Sequence, residues 1–248
     1  MTKYIATLVA ALYALPAYAV PVTIYGSTVK YANEVSKYYD ETPLTFRNKI
    51  GSVIVITFDN TYNLTALYTA WGLLGTQEAA QVRGGNIAGL ARYTYDTRKG
   101  YLAMIQPPEG YNQTPDRLRR VVAHEMAHLY DFSNGGTRAG PKGSISESPV
   151  LKKAFDADKQ AALALWKRSS KQDREEVDYY SHYLRSAKEA FAEAVARVLF
   201  PPSNEIDRDN FTNTLFPRLM VVVKARLAAD GIIPEQTNKG NLQRRLPE

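Results

Sequence analysis

Two histidines and a glutamate near the middle of the chain have the types and the spacing for metal chemistry. His124, Glu125 and His128 lie in the sequence His-Glu-Met-Ala-His, an H-E-x-x-H pattern. Residues four apart share one face of an α-helix, so the two imidazoles could bind one Zn²⁺ ion. Glu125 would lie beside the metal and take a proton from water as a general base. The alternative is a chance match on a half-buried helix, although the chain has only three histidines.

The flanking residues predict the helix that this spacing needs. Thr114 is a suitable N-cap, followed by Pro115 and Asp116 in the first turn. The helix is expected to end at Asn134 and the two glycines after it. The motif histidines share a face with Asp131. Apolar residues recur at helical spacing and predict a buried stripe of Leu118, Val122, Met126, Leu129 and Phe132.

A catalytic zinc site has three protein ligands and an open position for water, so a third ligand is needed. His182 is one candidate. A better candidate lies in a helix predicted over 188–200, where Glu189 and Glu193 are four residues apart. A nearby cation would relieve the repulsion between the two carboxylates. We assign Glu189 as the third ligand and Glu193 as the acceptor of an N–H from a metal-bound histidine. The alternative is two exposed glutamates with a surface salt bridge to Arg197.

The motif pair resembles the gluzincin metallopeptidases, in which H-E-x-x-H is followed by a Glu-x-x-x-Glu helix. The local sequence is most similar to the catalytic domain of anthrax toxin lethal factor and to the secreted Pro-Pro endopeptidases. Three details carry the resemblance: Asp131 three residues after His128, the Ser-His-Tyr sequence that ends at Tyr183, and the run Glu189–Ala194. The similarity covers roughly residues 114–200.

The resemblance implies a zincin-like fold, with a small twisted sheet over the motif helix and the third ligand on a following helix. It also implies that Asp131 and Glu193 orient the histidines. A tyrosine of this family donates a hydrogen bond to the substrate oxyanion, and Tyr183 is our candidate for that role. Tyr179, Tyr180 and His182 are alternatives, because a phenol or an imidazolium can make this bond.

The rest of the chain predicts an α+β fold, with strands dominating residues 20–107 and helices dominating 114–230. The predicted strands are Val22–Lys30, Ser52–Phe58, Leu90–Asp96 and Gly100–Gln106. The predicted helices outside the site are Pro149–Arg168 and Leu215–Asp230, and Asn33–Tyr39 is expected to be a helical turn or a short helix. The continuous β-branched run in the second strand favours burial on both faces. The last two strands form a hairpin, whose edge either pairs with an extended substrate or is an ordinary sheet edge.

The first residues have the pattern of a cleavable signal peptide. Lys3 supplies a positive charge, residues 5–15 are apolar, and Ala17-Tyr18-Ala19 is a small-x-small cleavage site. Cleavage after Ala19 would leave residues 20–248 as a single domain, in the periplasm or outside the cell. An uncleaved anchor is the alternative, although the apolar run is short for a membrane span.

Composition limits the cofactors and partners. The chain has no cysteines, so zinc must be held by histidines and carboxylates. The net charge of +6 is spread along the chain, with a modest cluster at Arg117, Arg119 and Arg120. We interpret that cluster as solvated surface, because nucleic-acid binding needs a denser basic stripe with aromatic platforms. No nucleic-acid partner and no stable membrane insertion are expected, and the protein is expected to be a monomer.

The sequence therefore predicts a secreted or periplasmic zinc-dependent endopeptidase with one Zn²⁺ per chain and a protein or peptide substrate. The alternative is a secreted binding or toxin-associated module of the same fold, whose zinc is structural or absent. A closed structural site would use His182 as a fourth ligand. A zinc hydrolase that acts on a non-peptide bond is a third hypothesis.

Overall fold

The computed structural model is a mixed α+β fold with a small sheet and a mostly helical remainder. It describes residues 20–59, 88–109, 114–134, 143–168, 181–203 and 210–235. The predicted signal peptide lies outside the described residues, as do Tyr179 and Tyr180.

The sheet has four strands in the order β1-β2-β4-β3. β1 and β4 each pair in parallel with the central β2, and β3 pairs antiparallel with β4. The predicted hairpin is therefore confirmed, with Gly89 opposite Met104 and Thr94 opposite Lys99. The strands are β1 Val22–Tyr25, β2 Ser52–Phe58, β3 Gly89–Thr94 and β4 Lys99–Ile105.

The second strand has the predicted bounds, and its last four residues are buried whichever face they point to. The first strand is shorter than predicted. It ends at Tyr25, because Gly26 adopts a positive φ of 78° and Thr28 begins a helix by accepting the Tyr31 N–H.

Two helices lie between β1 and β2. They are α1, Val29–Glu41, and α2, Leu44–Ile50. The helical segment predicted at Asn33–Tyr39 is confirmed but is longer, and the second helix was not predicted. Tyr31, Val35 and Tyr38 recur at helical spacing and are buried on one face of α1. Tyrosine and valine favour strands by composition, but their period of three to four decides the structure. The parallel pairing of β1 with β2 also requires a long crossover between them.

Helices follow the sheet, as predicted. α3, Pro115–Ser133, carries the metal motif, and α6, Ala187–Leu199, carries the two glutamates. The others are α4 Pro149–Arg168, α5 Ser181–Arg185 and α7 Pro217–Ala229, with a 3₁₀ turn at Ile145–Glu147 and a π-helical turn at Asn210–Leu215. The last helix ends at Ala229 with Asp230 as its C-cap, within one residue of the predicted end, and Gly231 has a φ of 68°.

The motif helix α3 lies at the centre of the molecule, where it packs on α6, on the β3–β4 hairpin, and on α1 and α2. Four residues of its predicted apolar stripe, Leu118, Val122, Met126 and Leu129, are buried in the main core. The prediction is wrong for Phe132, which is partly buried and lines the cleft, because it lies four residues after His128 on the histidine face. Burial of each of the four side chains contributes about 2 kcal/mol to folding. This packing fixes the rotation of α3 and therefore the direction in which its histidines point. Within the described residues, no helix is long and apolar enough to cross a membrane.

Candidate metal centre

The H-E-x-x-H residues lie on a helix that is capped as the sequence predicts. The Thr114 hydroxyl accepts the Arg117 N–H at 3.2 Å, and Pro115 is the first helical residue. His124 and His128 lie one turn apart with ring centroids 4.9 Å from each other. Because the apolar stripe faces the core, both imidazoles point across the helix surface towards α6.

Glu189 on α6 meets both imidazoles with separate carboxylate oxygens. Its Oε2 lies 3.3 Å from His124 Nε2, and its Oε1 lies 3.5 Å from His128 Nε2. The three residues offer ligand atoms that all lie within 4.8 Å of one another. The group formed by His124, His128 and Glu189 could therefore hold a metal ion.

Hydrogen bonds with the histidines keep the Glu189 carboxylate ionised. Burial lowers the pKa of His124, but hydrogen bonds to Glu189 and Glu193 outweigh it and raise that pKa to about 10. Burial raises the pKa of Glu189, but hydrogen bonds with His124 and His128 hold it well below its usual range. The carboxylate thus stays charged, and a metal that binds here must displace a proton from His124.

Glu193 connects His124 to a buried arginine. Its Oε2 lies 3.2 Å from His124 Nδ1, and its Oε1 accepts the Arg197 Nε–H at 2.6 Å. Burial raises the pKa of Glu193, but the hydrogen bond to His124 and the charge of Arg197 lower it to about 2. An ionised Glu193 only accepts, so Nδ1 of His124 donates and its Nε2 is the atom directed at Glu189.

The ion pair between Glu193 and Arg197 is not the surface salt bridge of our alternative hypothesis. The two side chains are 9% and 5% exposed, and the guanidinium lies 4.5 Å from the centroid of the Phe211 ring. Sequence spacing indicates the pair, since the residues are four apart on α6. It does not indicate burial, which comes from the packing of Phe211 over the end of that helix.

Glu125 packs against the edge strand β3. Its side chain is close to buried, and burial raises its pKa even though His124 and His128 act in the opposite direction. A Cβ atom at Gly89 would lie only 2.8 Å from Glu125 Cγ. The sequence did not mark Gly89 as a site residue, and its only signal is its place at the start of the predicted hairpin.

Tyr183 and His182 both lie at the mouth of the site. The Tyr183 ring centroid is 6.3 Å from that of His124, and the ring packs edge-on against Phe211. His182 Nε2 lies 3.2 Å from Glu189 Oε2, on a side chain that is 66% exposed. His182 is outside the ligand group of three. Both residues line the cleft.

The Asp131 carboxylate forms hydrogen bonds with Ser146 and not with a histidine. Its Oδ1 accepts the backbone N–H of Ser146 at 2.7 Å and its Oδ2 accepts the Ser146 hydroxyl at 2.6 Å. The fully buried carboxylate thus holds the 3₁₀ turn on α3, and it acts on His128 through its charge rather than through a hydrogen bond. The prediction that Asp131 orients a histidine directly is not supported by these contacts.

The site opens into a cleft of about 680 Å³ between α3, α6 and the start of β3. Phe132 stacks beside His128 with the rings inclined by 15°, and Arg120 lies one turn before His124. Arg120, His124, His128 and Phe132 are four apart in sequence, so helical spacing alone could have identified the two outer residues. Within the predicted arginine cluster, Arg119 instead pairs with Glu41 at 2.6 Å.

In comparisons with known proteins, no family model matches this chain and no curated protein is significantly similar to it in sequence. The resemblance to the gluzincins therefore stays a prediction, and the function must be argued from the geometry of the cleft.

Proposed function

We propose that this protein is an exported zinc-dependent endopeptidase. The observation that carries the proposal is the convergence of His124 Nε2, His128 Nε2 and the Glu189 carboxylate at one point of an open cleft. Glu125 lies beside that point. Three ligands, one acid and an accessible side are the parts that a hydrolytic zinc site needs.

The contacts that the Glu189 carboxylate makes with the two histidines have the length expected between neighbouring ligands of a tetrahedral ion. Zinc–nitrogen and zinc–oxygen bonds of about 2.0–2.1 Å at tetrahedral angles put ligand atoms about 3.3 Å apart. The two contacts of Glu189 with the histidines are 3.3 and 3.5 Å. Two imidazoles and a carboxylate also match the preference of zinc, and the chain contains no cysteine to compete. Bound zinc would polarise the scissile carbonyl and acidify water at its open position.

Glu125 supplies the proton transfer. Its carboxylate takes a proton from the water that attacks the scissile carbonyl, and then delivers that proton to the leaving amine. Burial raises its pKa, and an acid whose pKa approaches the working pH both accepts and returns a proton efficiently. Contact with Gly89 limits the side chain on the β3 side, which keeps the carboxylate directed into the cleft.

The start of β3 offers a backbone to an extended substrate. Residues 88–91 line the cleft, and within the described residues β3 has a strand partner, β4, on one side only. A peptide that pairs along the other side would lie next to Glu125. The phenol of Tyr183 or the imidazole of His182 would then donate to the carbonyl oxygen as its charge develops.

Peptide hydrolysis with and without a chelator tests the proposal. The purified protein is incubated with a peptide library, and cleavage is expected to stop with the chelator and to return with zinc. Glu125→Ala should keep the fold and bind zinc but remove hydrolysis, whereas Glu109→Ala, at an exposed position outside the cleft lining, should retain wild-type turnover. Retained turnover in Glu125→Ala would falsify the general-base assignment.

Measurements of zinc content distinguish the roles of the two glutamates of α6. Glu189→Ala should lose zinc, because it removes a ligand. Glu193→Ala should lower zinc affinity by about 10- to 100-fold, the usual effect of removing the acceptor behind a histidine ligand. If zinc were unchanged in the first variant and abolished in the second, the two roles would have to be exchanged.

A structural zinc site in a binding module is the second candidate function. The 3.2 Å contact between His182 and Glu189 favours it, since a small movement would make His182 a fourth ligand. One zinc per chain with no cleavage of any peptide would favour this function. His182→Ala would then reduce zinc affinity strongly, whereas a catalytic site would keep its metal.

A further inference from the structure

One end of the cleft is cationic. Arg117 and Arg120 line it on α3, two turns and one turn before His124. We call this pair of arginines the cationic end. The opposite end, beyond His128, is lined by Phe132 and Lys188.

Within the described part of the chain, Arg120 forms no salt bridge with a carboxylate, whereas Arg197 does. Arg197 is held by Glu193. The Lys188 ammonium lies 5.7 Å from the Phe132 ring centroid, and its charge acts on Asp131. Arg120 is partly buried, so its charge is less screened than that of a fully exposed side chain.

The charge balance of the cleft favours an anion. Its lining has four cationic side chains, which are Arg117, Arg120, Lys188 and Arg197, and three carboxylates, which are Glu125, Glu189 and Glu193. A bound divalent ion would add two positive charges. Arg117 and Arg120 place two of the four side-chain positive charges at the cationic end, whereas Lys188 places one at the opposite end.

The distance along α3 sets the place of the anion in a substrate. Four residues of helix rise about 6 Å and seven rise about 10 Å. An extended peptide advances about 3.3 Å per residue. In a peptide that runs along α3, the residues opposite Arg120 and Arg117 would therefore lie about two and three positions from the scissile bond.

We propose that the cationic end binds a carboxylate of the substrate, and that the enzyme prefers peptides with aspartate or glutamate two or three residues to one side of the cut. This inference rests on the proposed peptidase function. Arg120 is the main specificity-determining residue, and Arg117 adds to the positive electrostatic potential at the same end of the cleft.

Cleavage of matched peptides tests the preference. Peptide mixtures that carry Glu, Gln or Lys at one fixed position are digested, and kcat/KM is compared at each position. Wild type should prefer Glu over Gln by about tenfold at one position on one side of the cut, the range for a partly desolvated ion pair. Arg120→Gln should remove that preference, and Arg120→Glu should shift it towards Lys. Arg185→Gln, at an exposed position outside the cleft lining, should keep the wild-type profile.

Binding provides a measurement that does not need turnover. Zinc-loaded Glu125→Gln is titrated with fluorescent peptides that carry Glu or Gln at the fixed position. Tighter binding of the Glu peptide, lost in the double variant with Arg120→Gln, supports the cationic end even if no peptide is cleaved, in which case only the peptidase function fails. Equal affinities and equal kcat/KM values for Glu and Gln at every position would overturn the inference and leave the peptidase function standing.

Discussion

Gly89→Ala is the sharpest test of how the edge strand positions Glu125. The new Cβ atom would lie 2.8 Å from Glu125 Cγ, 3.2 Å from its Cδ and 3.2 Å from its Oε1. Carbon atoms in contact are about 3.5 Å apart or more. The glutamate must therefore move by about 0.7 Å, away from β3. Gly89 does not have a positive φ, so alanine fits its backbone and the effect is confined to this contact.

A displacement of that size affects catalysis more than stability. Misplacement of a reacting group by about 1 Å costs about 100-fold in rate, so we expect kcat to fall by 10- to 100-fold. KM should change little, because the strand backbone remains. Zinc content should stay at one per chain, because the new atom meets Glu125 and not the ligand group.

Gly100→Ala is the matched control. Gly100 lies on β4, and a Cβ atom there would meet Leu129 Cδ1 at 3.0 Å, in the core rather than the cleft. We expect it to lower the melting temperature while kcat stays within about twofold of wild type. Steady-state kinetics, zinc analysis and thermal unfolding of both variants decide the matter. Wild-type kcat in Gly89→Ala, or an equal loss in Gly100→Ala, would refute the proposed positioning of Glu125.

Three further variants test the surroundings of the site. Arg197→Ala should weaken zinc binding about tenfold or more, because Glu193 loses its partner, and should lower the free energy of unfolding by about 3 kcal/mol; an unchanged zinc Kd would contradict the positioning role. Asp131→Ala should lower the free energy of unfolding by about 2 kcal/mol, because two buried hydrogen bonds to Ser146 are lost, but should keep wild-type zinc affinity, whereas zinc loss would show that Asp131 orients a histidine. Asp230 accepts hydrogen bonds from Tyr130, Arg226 and Lys49. Burial raises its pKa, but the bonds from Tyr130 and Arg226 lower it overall. Its stabilisation is therefore present above its unfolded pKa of about 3.9 and is lost as pH falls below that value. Asp230→Asn should unfold more easily in urea at pH 7 and lose less stability between pH 5 and pH 3 than wild type does; equal slopes would contradict this assignment.

The parts of the fold that sequence predicts well are those with a strong local signal. Thr114-Pro115 begins α3 at the predicted residue, and Ser52–Phe58 forms a strand with the predicted bounds. Capping and β-branched runs act within a few residues, so they can be read without tertiary information. The helix at Val29–Glu41 was predicted too short, because tyrosine and valine favour strands and their helical period was given too little weight.

Two of the three candidate ligands lie close together in the sequence of α3, whereas the third comes from another helix. Spacing places His124 and His128 together, whereas Glu189 reaches them only because α6 packs across α3. The contact of Gly89 with Glu125 and the burial of Arg197 arise from that same packing. A sequence pattern indicates which side chains share a helix face, but it does not show which side chains from other elements lie opposite them.

A crystal structure of the protein grown with zinc, with anomalous data at the zinc edge, tests the central claim most directly. We predict one strong peak per chain within about 2.0–2.2 Å of His124 Nε2, His128 Nε2 and a Glu189 oxygen, with the fourth position open to the cleft. A peak elsewhere, or one with His182 as a fourth protein ligand, would contradict the peptidase account.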